Sequence, residues 1–271
     1  MRTRILALKV HGTMKGRVDS IADFAQKADK KLRHLIRRPK TWAQYCLDSE
    51  KPTERYIFHH IPKCAGTSAV DALTNWFIVL KDYAPGWSES SDLPAYKAYC
   101  DNPLDLAKIK PYQILVGHFH VDQSYLHQRY PEWQAQGFKL ITFLRDPLAL
   151  QISQYKYEIK MKRVSADEIL EHRLMLRPNW IAERFPVTEL NYQKVLDQYA
   201  FVGTMDNYQA AFNRLASMIG KPPVDLKSYN TTKKRSFNLS AEFISEFKDA
   251  NSLDYKLYEY AQKLECEAAN S

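Results

Sequence analysis

The chain has 271 residues, of which 45% are hydrophobic and 26% are charged, values ordinary for a soluble globular protein. No stretch approaches the ~20 apolar residues that a membrane span requires, and the apolar run at residues 5–8 is too short for a signal peptide. The four cysteines are scattered and lack the spacing of a metal site. We therefore expect a cytoplasmic, reducing environment and no bound metal.

The net charge of +8 is concentrated at the N-terminus. Residues 1–40 hold twelve Lys or Arg and three Asp, whereas the rest of the chain is close to neutral. Apolar residues recur at helical spacing within residues 18–35, which predicts a helix with one apolar and one basic face. It either packs on the main domain or lies on anionic lipid or an acidic polymer. We predict a basic helical extension over residues 1–50 and one domain over residues 51–271, whose near-neutral charge argues against nucleic-acid binding.

Strand and helix patterns alternate along the main domain. A loop region with a short helix is expected over residues 81–110, and Ser165 with Glu168 forms a predicted capping box. The predicted strands cover residues 55–61, 112–118, 138–144 and 199–204, and the predicted helices cover residues 68–80, 147–161, 166–176, 188–197, 206–219 and parts of 240–268. This alternation indicates an α/β domain with a mainly parallel sheet, in which ligands bind beyond the carboxyl ends of the strands.

The segment IPKCAGTS, residues 61–68, follows the first predicted strand and opens a helix. Such a junction exposes backbone N–H groups at the positive end of the helix dipole, where an anion is favoured. Gly66 allows the backbone to approach a phosphate, Thr67 and Ser68 offer hydroxyls, and Lys63 offers a positive charge. Neither GxxxxGK[ST] nor GxGxxG occurs in the sequence, so this phosphate cradle differs from both common nucleotide motifs. Alone, the motif is also compatible with an ordinary strand-to-helix turn.

A second anion site is predicted after the strand at residues 138–144, where the chain reads RDPLALQIS. Pro147 suits the first helical turn, and Ser153 lies about two turns into the helix. Arg145 and Ser153 can both reach a phosphate, with a forked contact from the guanidinium.

Together the two segments resemble sulfotransferases that use 3′-phosphoadenosine 5′-phosphosulfate (PAPS), in particular the carbohydrate branch with heparan sulfate 2-O-sulfotransferase and bacterial relatives. The resemblance extends in order through ELNYQKVL, FVGTMDNY, YNTTKKR and NSLDYKLYEYA, and covers residues 55–264. It implies a P-loop-like three-layer α/β/α sandwich with a central, mainly parallel sheet. It also leaves room for a Golgi location if a membrane anchor precedes this sequence.

By resemblance, PAPS is the co-substrate, and its 5′ end lies on the first loop while its 3′-phosphate lies on Arg145 and Ser153. A late basic loop closes over the nucleotide. The implied cofactor-binding residues are Pro62, Lys63, Cys64, Ala65, Gly66, Thr67, Ser68, Arg145, Ser153, Thr232, Lys233, Lys234 and Arg235. Three positions depart from the family pattern, namely Cys64 for the commoner Thr, Leu150 for a second Arg, and Asp206 for Glu.

Sulfuryl transfer requires a base for the acceptor hydroxyl and stabilisation of the negative charge on the departing phosphate, and Lys63 suits the second task. Four histidines lie near strand ends. The resemblance places the base on a Gly-His pair that matches Gly117 and His118, so His118 is the preferred base and His120 the second choice. His59 and His60 are expected to pack or bond locally, and Asp122 is a candidate to orient a histidine.

The predicted acceptor is a carbohydrate, either acidic or lipid-linked. Residues 156–184 combine many basic side chains with Trp180, a composition that suits an acidic sugar and equally suits a solvated helix face. Two other functions compete with sulfuryl transfer. One is a nucleotide-dependent kinase or other phosphotransferase, and the second is a non-catalytic protein that binds acidic glycans.

Overall fold

The computed structural model describes residues 54–84, 94–120, 124–165, 169–226 and 237–270. The predicted basic extension over residues 1–50, Asp122 and the late basic loop with Thr232–Arg235 lie outside the described residues. The predicted division of the chain at residue 50 therefore stays a prediction.

A single sheet runs through the described part of the chain, and all its neighbouring strands are parallel. Its spatial order is β2-β3-β1-β4-β5. The strands are β1 Arg55–His59, β2 Ile78–Asp82, β3 Gln113–Gly117, β4 Phe138–Leu144 and β5 Tyr199–Thr204. This sheet confirms the predicted α/β class.

Helices connect the strands, as right-handed crossovers between parallel strands require. Within the described residues, two short 3-10 helices lie at Leu106–Lys108 and Ala182–Arg184. The α-helices of the described residues are α1 Gly66–Leu73, α2 Pro94–Asp101, α3 Leu126–Arg129, α4 Pro147–Lys160, α5 Leu170–Met175, α6 Tyr192–Leu196, α7 Tyr208–Met218, α8 Ala241–Ala250 and α9 Ser252–Asn270. None of these helices is long and apolar enough to cross a membrane.

The alternation of side chains along β1 builds a core on each face of the sheet. Tyr56 and Phe58 pack with buried residues of α1 and α7. Ile57 points to the opposite face, where it packs with Leu126 of α3 and with residues near the first 3-10 helix. Helices therefore cover both faces, and the predicted three-layer arrangement is confirmed.

The predicted helix over residues 68–80 is wrong in its second half, because α1 ends at Leu73 and β2 begins at Ile78. The Asn75 side chain donates to the Ala72 carbonyl, and a turn separates the two elements. The run FIVL fits a helix or a strand by periodicity alone, and its β-branched residues favour the strand. The sheet thus has a fifth strand, at its edge, that the sequence reading missed.

Two further boundaries differ from expectation. Helix α5 starts at Leu170 with Ile169 at the N-cap position and without a side-chain cap, and Glu168 of the predicted capping box lies outside the described residues. Helix α3, a four-residue turn after β3, was not predicted. The expected loop region at 81–110 does contain its short helix, α2.

The topology fixes where a ligand can bind. Strand β1 is central, and the chain continues from it to β2 and β3 on one side and to β4 and β5 on the other. Ligands of open parallel sheets bind at this reversal of strand order, beyond the carboxyl ends. Lys63, His118 and Arg145 follow the carboxyl ends of β1, β3 and β4, so they share this edge of the sheet.

Candidate active site

The loop between β1 and α1 has an unusual backbone. Lys63 and Ala65 both adopt positive φ angles, 68° and 48°, although neither is glycine. Such conformations cost free energy and concentrate at functional sites, where they turn successive N–H groups into an anion-binding concavity. Ala65, the N-cap residue of α1, offers no side-chain cap to the first N–H groups of the helix. The Ser68 N–H donates to the Ala65 carbonyl at 2.9 Å, which leaves the N–H groups of Gly66 and Thr67 as the donors that an anion can use.

Lys63 stands at the entrance of this loop. Its ammonium lies 4.4 Å from the centroid of the Tyr157 ring in α4. Burial, with the positive charges of Arg145 and Lys160, lowers the pKa of Lys63 to about 8. A lysine in such surroundings gains from a bound anion, because the anion compensates the repulsion from its neighbours.

The side chain of Cys64 is buried and packs with Ile61 and Leu144. Burial raises the pKa of the thiol to about 12, so the thiol is neutral. Because this side chain belongs to the core, any anion contact of Cys64 comes from its backbone.

Gly66 is required by packing against a histidine. A Cβ atom at this position would overlap the imidazole of His60. The glycine therefore leaves room for that ring at the first turn of α1. Pro62 and Gly66 are buried, Thr67 is exposed, and Ser68 is half-buried.

The second predicted segment meets the first. Arg145 Nη1 donates to the Lys63 carbonyl over 3.2 Å, so the end of β4 holds the loop after β1. Asp146 caps α4 by accepting from the Ala149 N–H at 2.8 Å, and Pro147 occupies the first helical turn, as predicted. Leu150 is fully buried in the core.

Ser153 lies in α4 and is half-buried. It precedes Tyr157 by one helical turn, so the two side chains share a face. Because Tyr157 contacts Lys63, this face of α4 turns toward the loop. Arg145 therefore contacts the loop directly, and Ser153 lies on the helix face that contains the loop contact Tyr157.

Three histidines cluster at the carboxyl ends of β1 and β3. The ring centroid of His118 lies 4.6 Å from that of His60 and 5.4 Å from that of His120. The ring of Tyr83, which follows β2, lies 4.6 Å from His118. Burial, with the charge of Arg184, lowers the pKa of His118 to about 4 and that of His120 to about 3. Both imidazoles are therefore neutral at pH 7 and can accept a proton.

The other two histidines bond locally, as predicted. His59 is buried, and its Nδ1 pairs with the Tyr199 hydroxyl at 2.8 Å. His60 Nδ1 pairs with the Tyr83 hydroxyl at 3.2 Å. His60 nevertheless lies between His118 and the loop, a position that the sequence reading did not anticipate.

Arg184 is a further charged residue that sequence reasoning missed. Its side chain is 1% exposed, and its guanidinium carbon lies 3.3 Å from the centroid of the Trp180 ring. Its ion-pair partner in the described chain is the exposed Glu183, at 3.6 Å, and its Nε has no hydrogen-bond partner there. Burial lowers the pKa of Arg184 to about 9. In sequence it is one of many basic residues, and no signal separates it from the exposed ones.

The turn that carries Arg184 is anchored to the C-terminal helix. The carboxylate of Asp254 in α9 accepts from the N–H groups of Ile181 and Ala182, at 2.9 and 2.7 Å. Trp180 is buried, and the guanidinium covers its ring. A sugar therefore cannot stack on the Arg184 face of Trp180, which removes one element of the expected acceptor site.

The downstream segments have structural roles in the described chain. The exposed Asp206 accepts from the Tyr258 hydroxyl and from Gln262, so it binds α9 to the end of β5. The side-chain oxygen of Asn191 accepts from the Thr188 N–H at 2.6 Å and so closes the turn that contains both residues. The Tyr208 hydroxyl donates to the Ala65 carbonyl at 3.3 Å, which links α7 to the loop between β1 and α1.

No group of three His, Cys, Asp or Glu residues within the described residues is arranged to hold a metal ion.

No protein-family model matches the sequence, and no curated protein matches it. Solved structures with a similar fold include a sulfotransferase from Alicyclobacillus acidocaldarius, with a TM-score of 0.45 and 12% identity over 77% of this chain and 96% of that one. They also include mouse sulfotransferase SULT7A1 complexed with PAP, with a TM-score of 0.42 and 9% identity over 79% of this chain and 70% of that one. At these values, function has to be argued from the residues of the site.

Proposed function

We propose that this chain is a sulfotransferase that moves the sulfuryl group of PAPS to a hydroxyl of a carbohydrate acceptor. One observation carries the proposal: Arg145 donates to the Lys63 carbonyl and so joins, at one edge of the sheet, the two segments proposed to bind anions. A nucleotide with phosphate groups at both its 5′ and its 3′ positions needs two such segments. A single phosphate cradle would serve an ordinary nucleotide.

The residues at this edge suit each requirement of sulfuryl transfer. The acceptor oxygen attacks sulfur, the bond from sulfur to the bridging oxygen breaks, and its electron pair stays on the departing 5′-phosphate. Lys63 and the uncapped N–H groups of α1 stabilise that charge. The proton of the acceptor hydroxyl passes to His118, which is neutral before the reaction. His120 is the alternative base, because its ring lies next to that of His118.

The acceptor proposal rests on charge. Several exposed basic residues lie at the C-terminal end of α4, which contacts Lys63, and farther along the chain. Exposed apolar residues, Met161, Ile169 and Leu176, lie among them in sequence. An anionic acceptor, free or lipid-linked, suits this mixed surface best. The exposed basic residues are Lys160, Lys162, Arg163 and Arg177.

The test is transfer of radiolabelled sulfuryl from PAPS to a panel of acidic glycans, neutral glycans and phenols. We expect label in an acidic glycan and none with the Lys63→Met variant. Label in phenols alone would overturn the carbohydrate acceptor. Phosphoryl transfer from ATP–Mg²⁺, with no transfer from PAPS, would overturn the reaction class and favour a kinase.

A further inference from the structure

Lys63 is held at two points, at its backbone and at its ammonium. Arg145 donates to the Lys63 carbonyl at 3.2 Å, and the φ angle of 68° places the Lys63 backbone in the left-handed region. The ammonium lies over the Tyr157 ring, 4.4 Å from its centroid. Because a lysine side chain has a flexible stem of four carbons, contacts at both of its ends restrict where the charge can lie.

The contact between Lys63 and Tyr157 is a cation–π contact. The face of an aromatic ring is electron-rich and attracts an ammonium that lies within about 6 Å of the centroid. Lys63 and Tyr157 are both half-buried, and partial removal of water strengthens such a contact. The ring therefore stabilises the ammonium form of Lys63 relative to the neutral amine.

The cationic neighbours of Lys63 act against its charge. Arg145, which follows β4, and Lys160, three residues after Tyr157 in α4, combine with burial to lower the pKa of Lys63 to about 8. The opposing influence comes from the thiol of Cys64, which is neutral because burial raises its pKa to about 12. Within the described residues no carboxylate contributes to this balance. The Tyr157 ring is thus the group that favours the ammonium before an anion binds.

We infer that Tyr157 is a positioning residue for Lys63, because the face of its ring keeps the ammonium charged and in place for the anionic end of the nucleotide. The inference rests on the proposed function, in which this end is the 5′-phosphosulfate of PAPS. Tyr157 acts through Lys63, and its hydroxyl is not required. When the bond from sulfur to the bridging oxygen breaks, an ammonium already in place stabilises the departing phosphate without further reorganisation.

The test compares Tyr157→Phe, which keeps the ring, with Tyr157→Leu, which keeps an apolar side chain and removes the ring. NMR titration of the Lys63 ammonium in the full chain, without nucleotide, measures the contact directly, and Lys63→Met identifies the signal. A cation–π contact at a partly exposed site raises the pKa of a lysine by about 0.5. We therefore expect the pKa of Lys63 to fall by about that amount in Tyr157→Leu and to stay unchanged in Tyr157→Phe.

Nucleotide binding tests the consequence for the site. The probes are 3′-phosphoadenosine 5′-phosphate and adenosine 3′-monophosphate, which lacks the 5′-phosphate. The loss of affinity for the bisphosphate in Tyr157→Leu should be about threefold greater at pH 9 than at pH 6, the factor that a pKa lower by about 0.5 implies. The monophosphate should bind the wild type and both variants equally. In the Lys63→Met background, Tyr157→Leu should cause no further loss.

The outcomes separate the inference from the proposed function. Three results would overturn the inference while the proposed function stands. They are an unchanged pKa of Lys63 in Tyr157→Leu, equal losses of affinity in Tyr157→Phe and Tyr157→Leu, and a loss that persists in the Lys63→Met background. Absence of bisphosphate binding by the wild type would overturn the proposed function and the inference together.

Discussion

The guanidinium of Arg145 donates a hydrogen bond to the backbone carbonyl of Lys63 over 3.2 Å. The two residues are far apart in sequence and follow neighbouring strands, β4 and β1. Through this bond the segment proposed to bind the 3′-phosphate holds the segment proposed to bind the 5′ end. A change at Arg145 should therefore affect both ends of the nucleotide, which makes this contact the centre of the site.

The low pKa of Lys63 predicts that nucleotide binding is linked to proton uptake. The free protein loses the Lys63 charge as the pH rises through about 8, because burial and neighbouring cations favour the neutral amine. A bound phosphate favours the ammonium and raises its pKa. Above pH 8, binding of 3′-phosphoadenosine 5′-phosphate should take up a proton and weaken with increasing pH. Calorimetry at pH 9 in buffers of different ionisation enthalpy measures the uptake, and it should vanish in Lys63→Met.

The low pKa of His118 predicts that this residue acts as a base over a wide range of pH. Its pKa of about 4 leaves it unprotonated at pH 5 to 8, so kcat/KM should fall on the acid side only as the pH approaches 4. His118→Asn should lower kcat by about 10²- to 10⁴-fold, typical of a lost general base. The variant should bind the bisphosphate as the wild type does.

His120→Asn is the matched control for His118, since its ring lies 5.4 Å away and is also neutral. We expect a smaller loss of kcat than for His118→Asn. The reverse order would reassign the base to His120.

We predict that removal of the Arg184 charge changes the pKa values of His118 and His120. Its positive charge is the second cause, after burial, of the lowered pKa values of His118 and His120. Arg184→Met keeps a long apolar side chain against Trp180 and removes the charge. The pKa of both histidines should then rise, by less than their full displacement, because burial remains. NMR titration of the histidine ring protons measures the change, and unchanged or lowered values would contradict this role.

The end of β2 is held by a buried ion pair that should dominate local stability. Arg129 Nε and Nη2 donate to the Asp82 carboxylate at 2.7 and 2.9 Å, and the Tyr130 hydroxyl donates to the same group. Both charged side chains are almost fully buried. Arg129→Met leaves the carboxylate without its partner and should lower the free energy of unfolding by about 3–5 kcal/mol. Denaturant unfolding measures this value.

The exposed ion pair of Lys108 and Asp105 provides the control for that prediction. Lys108→Met should change the free energy of unfolding by less than about 1 kcal/mol, because solvent screens the pair. Equal effects of Lys108→Met and Arg129→Met would show that burial does not decide the strength of these contacts.

The parallel sheet was predictable, because short β-branched runs are local features, and the two segments proposed to bind the nucleotide follow its strands β1 and β4. β5 was predicted with its observed boundaries, Tyr199–Thr204. Strand β2 was missed, since its apolar run continues the helical pattern of α1 and only the tertiary pairing with β3 decides its conformation. Sequence reasoning cannot see such a pairing.

The contacts among the proposed site residues were not predicted from the sequence. The adjacency of Lys63 and Arg145 follows from topology, but the positions of His60 over Gly66 and of Arg184 over Trp180 depend on side-chain packing. His59 and His60 were both expected to pack or bond locally. Only the structure shows that their rings meet different partners, Tyr199 and Tyr83.

The most direct test of the two-segment site is calorimetry with 3′-phosphoadenosine 5′-phosphate, ADP and ATP–Mg²⁺ on the wild type and Arg145→Ala. A charge-assisted contact to the 3′-phosphate contributes about 1.5–3 kcal/mol, so the wild type should prefer the 3′-phosphorylated ligand by at least tenfold and Arg145→Ala should lose that preference. Lys194→Ala, which removes an exposed charge in α6, should leave it unchanged. Equal or tighter binding of ATP–Mg²⁺ by the wild type would contradict the account.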